Sequence, residues 1–337
     1  MTARILYAPL DPADTEHVLA CQRISTRCAR EHDPAYMPGD SESFAVALRS
    51  EGNFIRHALI ALDTGTDRVL GWAMLSYSRD FPDDPMYVVV EVDPDARGQG
   101  IGSQLQHRIR ALCPPTWPSR QFFAEAFLPA DADATTHPTT RWAHACGWRL
   151  NELDRTLRLA WPPERCDLDA LIPSIPPDYT LHTYVNGVPA ALRESLGVVR
   201  GQMDAEAPSG DIEFSAEAWS EQYYLHYIEE IRQRRATLVE TVAVWEGNVV
   251  GFTGVTIPDD AARLMRVAGT GVLRAHRGNQ LGLAMKTEIM RELLAREVAN
   301  PAIETDTAVD NPWMLAINRA VGFTDYCQLA GYVIEWS

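Results

Sequence analysis

The spacing of apolar positions changes along the chain, and each change predicts a different element. A β-branched apolar run at residues 86–90 predicts a buried strand. Beyond it, four apolar residues share one helical face and predict an amphipathic helix, namely Ile101, Leu105, Ile109 and Leu112. A glycine-rich segment, residues 92–102, joins the two. The central pattern is therefore strand, glycine-rich turn and helix.

The same reasoning assigns the other elements of the first half. It predicts a strand at 4–10, helices at 14–30 and 41–50 with Ser41 as cap, hairpin strands at 54–63 and 68–79, a strand at 121–127, a helix at 139–146 and a closing strand pair within 148–161. Strands and helices thus alternate, which predicts an α/β or α+β fold around a mixed sheet.

The second half repeats this order. It predicts a strand at 179–185, a helix at 188–203, a long helix at 214–236, hairpin strands at 238–245 and 249–257, a strand at 263–273, a helix at 281–298, a strand at 303–307, a helix at 312–321 capped by Asn311, and a closing strand region at 323–336. Aromatic residues at near-helical spacing in the long helix are either core or the wall of an acceptor pocket: Trp219, Tyr223, Tyr224 and Tyr227.

Sequence landmarks also recur at a nearly constant offset. Arg97-Gly98 returns 180 residues later as Arg277-Gly278, and Glu125 returns 179 residues later as Glu304. Gly147-Trp148 returns as Gly322-Phe323, 175 residues later. Several landmarks in one order indicate duplication. We therefore predict two domains, residues 1–161 and 178–337, joined by a proline-rich linker at 162–177.

Composition narrows the class of protein. The chain has 337 residues, of which 46% are hydrophobic and 23% charged, as expected for a globular protein. No apolar run approaches the roughly 18 residues of a membrane span, and no signal peptide is recognised. The six cysteines lack metal-ligand spacing, so we expect no metal, reduced thiols and a cytoplasmic location. A net charge of −16 argues against nucleic acid and favours a cationic small molecule such as an amine.

The glycine-rich turn has the chemistry of a phosphate site. Glycines let the backbone turn tightly and approach a ligand closely. The following helix start offers unpaired N–H groups and a partial positive charge, which together bind phosphate. Arg97 adds a forked cation at the mouth. No Lys-Ser/Thr pair follows the glycines, so this is not a Walker A loop, and the glycine spacing does not fit a dinucleotide fingerprint.

The order Val-x-Pro-x-x-Arg-Gly-x-Gly-Ile-Gly across residues 92–102 resembles the acyl-CoA pyrophosphate loop of the GNAT acyltransferase superfamily. The second loop, His276-Arg-Gly-x-x-Leu-Gly, and the ending around Asn311 and Asn318 resemble tandem bacterial GNAT proteins. The resemblance implies two tandem GNAT domains, acetyl-CoA as acyl donor, and CoA contacts from Val92, Arg97, Gly98, Gln99, Gly100, Ile101, Gly102, Ser103, Val272, Leu273, Arg277, Gly278, Asn279, Gln280, Leu281, Gly282, Leu283 and Asn311.

The two halves depart from the pattern differently. Gln280 stands where the first half has Gly100, whereas Asn311 has no counterpart in the first half. Tandem proteins of similar design, such as mycothiol synthase, place the chemistry in the C-terminal half. By that analogy we expect residues 178–337 to be the catalytic half.

The candidate catalytic residues of this half are Glu304, Thr270 and Asn318. Glu304 is the candidate base, with Glu91 or Glu125 as the candidates in the first half, and Thr270 is a candidate hydrogen-bond donor to the acyl carbonyl or the acceptor. The superfamily often has a tyrosine acid four residues before Gly-Phe, but these positions are Ala143 and Asn318. The acid is therefore elsewhere, supplied by Asn318, or not needed. His276 is expected to belong to the loop more than to act as a base.

The sequence thus predicts an acetyl-CoA-dependent N-acetyltransferase that acts on a small-molecule amine, as a monomer or homodimer, with no nucleic acid or membrane partner. A rival from another class is a non-catalytic acyl-CoA sensor or scaffold built from two GNAT-like domains. The missing tyrosine in both halves and the side chain of Gln280 favour the rival.

Overall fold

A computed structural model describes residues 5–163, 168, 170–171 and 173–335 of the chain. These residues form two compact units. The N-terminal unit contains the chain up to Leu153, the short segment Ser209–Glu213 and the chain from Leu329 onward. The C-terminal unit contains Asp154–Pro208 and Phe214–Gln328. Part of the predicted linker, at 164–167, 169 and 172, lies outside the described residues, and Leu168 is buried in the core of the C-terminal unit.

The N-terminal unit is a sheet with helices on both faces. Its elements are β1 (Ile5–Pro9), α1 (Thr15–Ala29), α2 (Ser41–Leu48), β2 (Phe54–Asp63), β3 (Arg68–Ser78), β4 (Met86–Val92), α3 (Ile101–Arg110), β5 (Gln121–Pro129), α4 (Pro138–Ala145) and the start of β6 (Arg149–Ala160). The strands lie in the order β1-β2-β3-β4-β5, followed by the end of β12. One apolar core lies under α1 and α2, and another lies under α3.

The C-terminal unit repeats this arrangement. Its elements are β7 (Tyr179–Val185), α5 (Ala190–Glu206), α6 (Glu221–Gln233), β8 (Ala236–Trp245), β9 (Asn248–Pro258), β10 (Met265–Val272), α7 (Leu281–Ala295), β11 (Ala302–Ala308), α8 (Pro312–Ala320) and the start of β12 (Thr324–Glu335). The strand order is β7-β8-β9-β10-β11, followed by the end of β6. The predicted mixed α/β fold with two repeated halves is confirmed.

Three local predictions were wrong. The cap of α2 is Asp40, whose carboxylate accepts from the Ser43 N–H, and not Ser41. The closing strand pair within 148–161 is instead one long strand, β6. The long helix at 214–236 is only α6, because Ser220 caps it.

The chain before Ser220 packs against α5 and forms no helix. Its backbone lies against α5 at two glycines, and a Cβ on Gly197 or Gly201 would stand 2.1 Å from a backbone oxygen of this segment. The N–H of Trp219 also donates to the carbonyl of Gly197 at 3.1 Å. The Trp219 N–H is thus used in the contact with α5 and is not available for a helix of its own segment.

In both units the central parallel strands separate soon after they begin. β4 and β5 pair only at Met86–Phe122 and Tyr87–Phe123 among the described residues. β10 and β11 pair only at Met265–Ile303 and Arg266–Glu304, again within the described chain. Each sheet therefore opens toward the carboxyl ends of these strands, next to the glycine-rich loop. We call each opening the split of its unit.

The central strands differ in one respect. β10 has a register shift against β9 between Val267 and Thr270, at Gly269 with φ of +100°. This is a β-bulge, and the positive φ favours glycine. β4 pairs with β3 in unbroken register from Gly71–Val92 to Ser76–Tyr87. The bulge beside the split thus belongs to the C-terminal unit.

The end of the chain completes the core of the N-terminal unit. Tyr332, on the last part of β12, is 3% exposed and packs in the core that contains Leu105 and Phe122. Its hydroxyl lies 2.7 Å from Thr140 Oγ1. Since Thr140 donates its own proton to the carbonyl of Ala134, Tyr332 is the donor of the pair.

Replacing Tyr332 with Phe is expected to lower the free energy of unfolding by about 1 kcal/mol, because one buried hydrogen bond is lost while the ring stays. Denaturant unfolding at neutral pH measures the effect. Tyr7→Phe is the matched control in the same unit, since the Tyr7 ring contacts Arg108 and its hydroxyl has no hydrogen bond in the described chain. Equal effects of the two substitutions would contradict the prediction.

Candidate functional site

The two glycine-rich loops have nearly the same backbone. Gly98 and Gly100 both have φ of +77°, and Gly278 has φ of +82°. Gln280 takes the same left-handed conformation at +58°, so the departure from glycine does not change the turn. A Cβ built on Gly98, Gly100 or Gly278 would meet no atom within 4 Å. These glycines are exposed, so the loops border open space that a ligand can enter.

Each loop leads directly into a helix whose N-terminus is not capped by a side chain among the described residues. These helices are α3, which begins at Ile101, and α7, which begins at Leu281. Uncapped N–H groups and the helix dipole favour an anion here. The buried side chains of Ile101 and Leu281 anchor the helix starts, so these two residues can contact a ligand only through their backbones.

Two arginines brace the loops in the same way. Arg97 Nε donates to the carbonyl of Val92 at 3.3 Å, and Arg277 Nε donates to that of Val272 at 3.0 Å. Arg97 also forms an ion pair with Glu31, and Arg277 with Glu206. Each guanidinium is about half exposed at the mouth of its loop. A bound phosphate would therefore compete with a carboxylate for this cation.

The outer side of the second loop is held by a small polar cluster. Asn279 Nδ2 donates to the His276 carbonyl at 3.0 Å and to the Tyr179 hydroxyl at 3.3 Å. The Tyr179 hydroxyl also lies 3.0 Å from His276 Nδ1. These contacts place His276 in the loop framework. The amide of Asn279 is likewise occupied by the protein, so its predicted contact with CoA requires its backbone.

The remaining predicted CoA residues lie at the loop edges. The Leu273 N–H is already bonded to the Val250 carbonyl at 2.9 Å, and Ser103 Oγ lies 3.3 Å from Cys146 Sγ. A Cβ on Gly102 would lie 3.2 Å from Trp142, and one on Gly282 would lie 3.1 Å from Ile317. These helix starts therefore pass close to α4 and α8. Gln99 and Leu283 complete the two segments.

The loop and the split of each unit adjoin, because β4 and β10 run from the split directly into the loop. Together they suit an elongated ligand with a phosphate at one end and a hydrogen-bonding arm at the other. An anion would be held by the loop, and the arm could pair with the backbone of the separated strands. CoA, with its diphosphate and its amide-containing pantetheine, has this chemistry.

Comparison with known proteins agrees with the geometry. The model of the acetyltransferase (GNAT) family matches residues 19–114 and 205–323. The chain belongs to the GNAT acetyltransferase family. No curated protein sequence matches it.

Solved structures extend the likeness of fold to nearly the whole GNAT chain. A tandem GNAT protein from the clavulanic acid biosynthesis pathway has a TM-score of 0.78 and 22% identity, with 98% of each chain covered. A GCN5-related N-acetyltransferase from Sphaerobacter thermophilus has a TM-score of 0.66 and 16% identity, covering 98% of this chain and 95% of the other. The two separate matches to the family model, together with this likeness of fold, show two GNAT domains in tandem.

The structure gives Glu304 a different environment from that of a free base. Arg158 Nη2 lies 2.5 Å from Glu304 Oε1, and Arg266 Nη1 lies 3.2 Å from Oε2. Both carboxylate oxygens are thus engaged by arginines on neighbouring strands. Thr270 lies at the bulge, where its hydroxyl is 2.7 Å from that of Thr253. Thr270 therefore lies beside the split, whereas Glu304 lies where the strands are still paired.

Asn318 and Asn311 serve the α8 region in different ways. Asn318 is fully buried, accepts a hydrogen bond from Lys286 and donates one to Thr307 Oγ1 at 2.9 Å. Its amide is therefore enclosed, and direct contact with a substrate has no support in this arrangement. Asn311 caps α8 by accepting from the Met314 N–H at 3.2 Å, which leaves its NH₂ group available to donate.

The aromatic residues of α6 form core around a buried ion pair. Arg200 on α5 is 3% exposed and pairs with Glu240, which is 0% exposed. Tyr224 also donates to Glu240. The guanidinium lies over four rings, those of Trp219, Tyr224, Tyr227 and Phe252. The structure thus supports the core interpretation of this aromatic group.

Sequence reasoning missed one acid of the C-terminal unit. Asp154 begins the part of β6 that pairs with β11, opposite Ala308 at the open end of the split. Burial, followed by the nearby charges of Asp306 and Asp310, raises the pKa of Asp154 to about 6. Its Oδ1 has no hydrogen-bond partner among the described residues. Because β6 is contributed by the other half of the sequence, no local pattern indicated this position.

The raised pKa predicts a pH-dependent stability. The folded protein holds the Asp154 proton more tightly than the unfolded chain does. The stabilisation by this proton is therefore fully present below about pH 4 and is lost as the pH rises through about 6. Asn cannot titrate, so the free energy of unfolding of Asp154→Asn, relative to that of the wild type, should be about 1 kcal/mol higher at pH 7 than at pH 4, after allowance for solvent screening. Denaturant unfolding at both pH values measures the gain. The exposed Asp178→Asn serves as control, and an equal gain there would overturn the assignment.

Proposed function

We propose that this GNAT protein transfers an acetyl group from acetyl-CoA to the amine of a small molecule, and that the C-terminal unit carries the reaction. The bulge of β10 at Gly269 is the observation that carries the proposal. It removes Ala268 and Gly269 from the regular ladder with β9, next to the strands that separate. Bulges of this kind re-aim backbone groups beside active sites.

The proposed chemistry needs few groups from the protein. Acetyl-CoA supplies an activated acyl group as a thioester. Backbone N–H groups at the bulge are suited to hydrogen-bond the acyl oxygen as negative charge develops on it. An attacking amine must lose a proton, and Asp154 has a pKa of about 6 and a free oxygen at the open end of the split. We therefore propose Asp154, in place of Glu304, as the base.

The charge around the split favours an amine acceptor. Asp154, Asp306 and Asp310 are close enough for the latter two to raise the pKa of the first. Only Asp306 among them has an ion pair in the described chain, with Arg266 at 2.8 Å. This local excess of negative charge adds to the net charge of −16 and attracts a cationic substrate.

The N-terminal unit supports a different role, as a partner that holds CoA or stabilises the fold without transferring acyl groups. Its β4 has no bulge within the paired residues. Glu91 near the end of β4 is enclosed by hydrogen bonds from Ser25 and Trp72, and burial raises its pKa. Trp142 also packs on the first turn of α3 near Gly102 and Val92. A larger side chain therefore lies where the C-terminal unit has Ile317.

The described cysteines are all free thiols, which supports the proposed cytoplasmic location. No described helix has both the length and the apolar character required to cross a membrane. Whether the protein is a monomer or a homodimer stays a prediction.

Substitutions at Gly278 and Gly98 distinguish the roles of the two glycine-rich loops. Asp and Asn have nearly the same shape and tolerate positive φ, but only Asp places a negative charge in the open space of the loop. We expect Gly278→Asp to weaken CoA binding at least about tenfold relative to Gly278→Asn, and to lower turnover in parallel. Titration calorimetry measures the binding.

Gly98→Asp and Gly98→Asn form the matched pair in the N-terminal unit. We expect them to have equal turnover, whether or not CoA also binds there. If the Gly98 pair differs in turnover and the Gly278 pair does not, the catalytic unit has been assigned to the wrong half.

Release of free thiol from acetyl-CoA, measured against a panel of small amines, tests the activity itself. Acceptor-dependent release that falls in Asp154→Asn while CoA affinity is retained is the expected result. Saturable CoA binding with no acceptor-dependent release would favour the sensor or scaffold instead. If CoA does not bind at all, the proposal fails as a whole.

A further inference from the structure

Lys286 is the single lysine of the chain, and it is buried. It lies on α7 with 1% of its surface exposed, and its Nζ donates to Asn318 Oδ1. The ring of Phe323 lies beneath it, 5.3 Å from Nζ to the centroid. Burial lowers the pKa of Lys286 to about 7. Burying an amine among apolar groups costs folding free energy, so its presence calls for a reason.

The fold itself does not supply that reason. The offsets of the internal repeat match Lys286, Asn318 and Thr307 to Gln106, Ala143 and Leu128 in the N-terminal unit. All three counterparts are buried, and none carries a charge. The N-terminal unit thus forms the same α3, α4 and β5 arrangement without a buried cation. We call Lys286, Asn318 and Thr307, which are joined by hydrogen bonds, the network. The network is confined to the unit that has the bulge.

The hydrogen bonds of this network all run in one direction. Lys286 Nζ donates to Asn318 Oδ1, so Asn318 turns its oxygen toward Lys286 and its NH₂ away from it. That NH₂ donates to Thr307 Oγ1 at 2.9 Å. The hydroxyl oxygen of Thr307 therefore accepts, and its own proton has no acceptor within the described chain. Chains of this kind polarise the last donor.

Thr307 is the member of the network at the split. It follows the last residue of β11 that pairs with β10, Glu304, by three positions. It is 6% exposed, whereas Lys286 is 1% and Asn318 is 0% exposed. Asn318 also occupies the position where the superfamily resemblance implies a tyrosine acid. In this chain the hydroxyl at that place thus comes from Thr307 on β11 and not from a tyrosine on α8.

We propose that the Thr307 hydroxyl donates a hydrogen bond to the departing sulfur of CoA, and that Lys286 and Asn318 are positioning residues that orient and polarise this hydroxyl. The inference rests on the proposed acyl transfer in the C-terminal unit. In that transfer the C–N bond forms, the C–S bond breaks and its electron pair moves onto sulfur. The proton of the amine passes to the base, and the thiolate is protonated by water after release. No proton crosses the Asn318 amide.

The pKa of the CoA thiol in the complex provides a test that does not depend on turnover. The complex of the protein with CoA that carries no acetyl group is titrated with base. The ultraviolet absorbance of the thiolate then gives the pKa of the bound thiol. We expect the wild type to lower this pKa by about one relative to CoA in water, because a hydrogen bond to the thiolate favours the charged form. Thr307→Val should lose this effect, and Thr307→Ser should keep it.

Lys286→Met separates the chemical role from a structural one. Methionine has a similar length and no desolvation cost, but it leaves Asn318 Oδ1 without its donor, so the two effects offset each other and the melting temperature should change little. The pKa of the bound thiol should nevertheless rise, and kcat should fall roughly tenfold with KM for acetyl-CoA unchanged. Gln106→Met is the matched control, because it also places a methionine at the corresponding buried position of α3.

The outcomes separate this inference from the proposed function. If CoA binds normally and the thiol pKa is the same in the wild type, Thr307→Val and Lys286→Met, the network is structural and the inference is wrong. A drop in melting temperature of Lys286→Met with no change in kcat would contradict it as well. Absence of CoA binding in the wild type would instead remove the proposed function on which it depends.

Discussion

The early separation of two parallel strands is the constraint on which the rest of this structure depends. Backbone N–H and C=O groups in a folded protein need partners, and a parallel pair normally supplies them along its length. Here β10 and β11 pair at two positions and then part, so the following backbone needs partners from elsewhere. A ligand that carries amide groups can supply them. The loop and the α7 N-terminus lie at the open end of the same strands.

The two units show how one backbone design can serve different purposes. Both have the split, a left-handed loop, an arginine bonded to the end of its strand, and a helix start with no side-chain cap among the described residues. They differ in the side chains and the ladder around the split. The C-terminal unit has a bulge at Gly269 and a buried Lys286, whereas the N-terminal unit has regular pairing and a buried Gln106. The β10 bulge and the buried amine lie in the same unit, as expected at a functional site.

The two halves of the sequence exchange their closing strands, β6 and β12. β6 begins in the N-terminal unit and ends in the C-terminal one, where it pairs with β11 from Ala302–Ala160 to Ala308–Asp154. The last residues of β12 belong in turn to the N-terminal unit, where Tyr332 contacts Thr140. Each unit is thus completed by sequence from the other half. The position of Asp154 beside the C-terminal split follows from this exchange.

The sequence by itself determined the order of elements, the internal repeat and the two glycine-rich loops, because these depend on local periodicity, glycine positions and spacing along the chain. It also indicated that Asn311 caps α8. Only the tertiary structure decided which polar side chains face one another. It paired Glu304 with Arg158 and Arg266, enclosed Asn318 beside Lys286, and brought Asp154 to β11. These contacts join residues that are 146, 38 and 32 positions apart, or strands from different halves, and no local pattern encodes such distances.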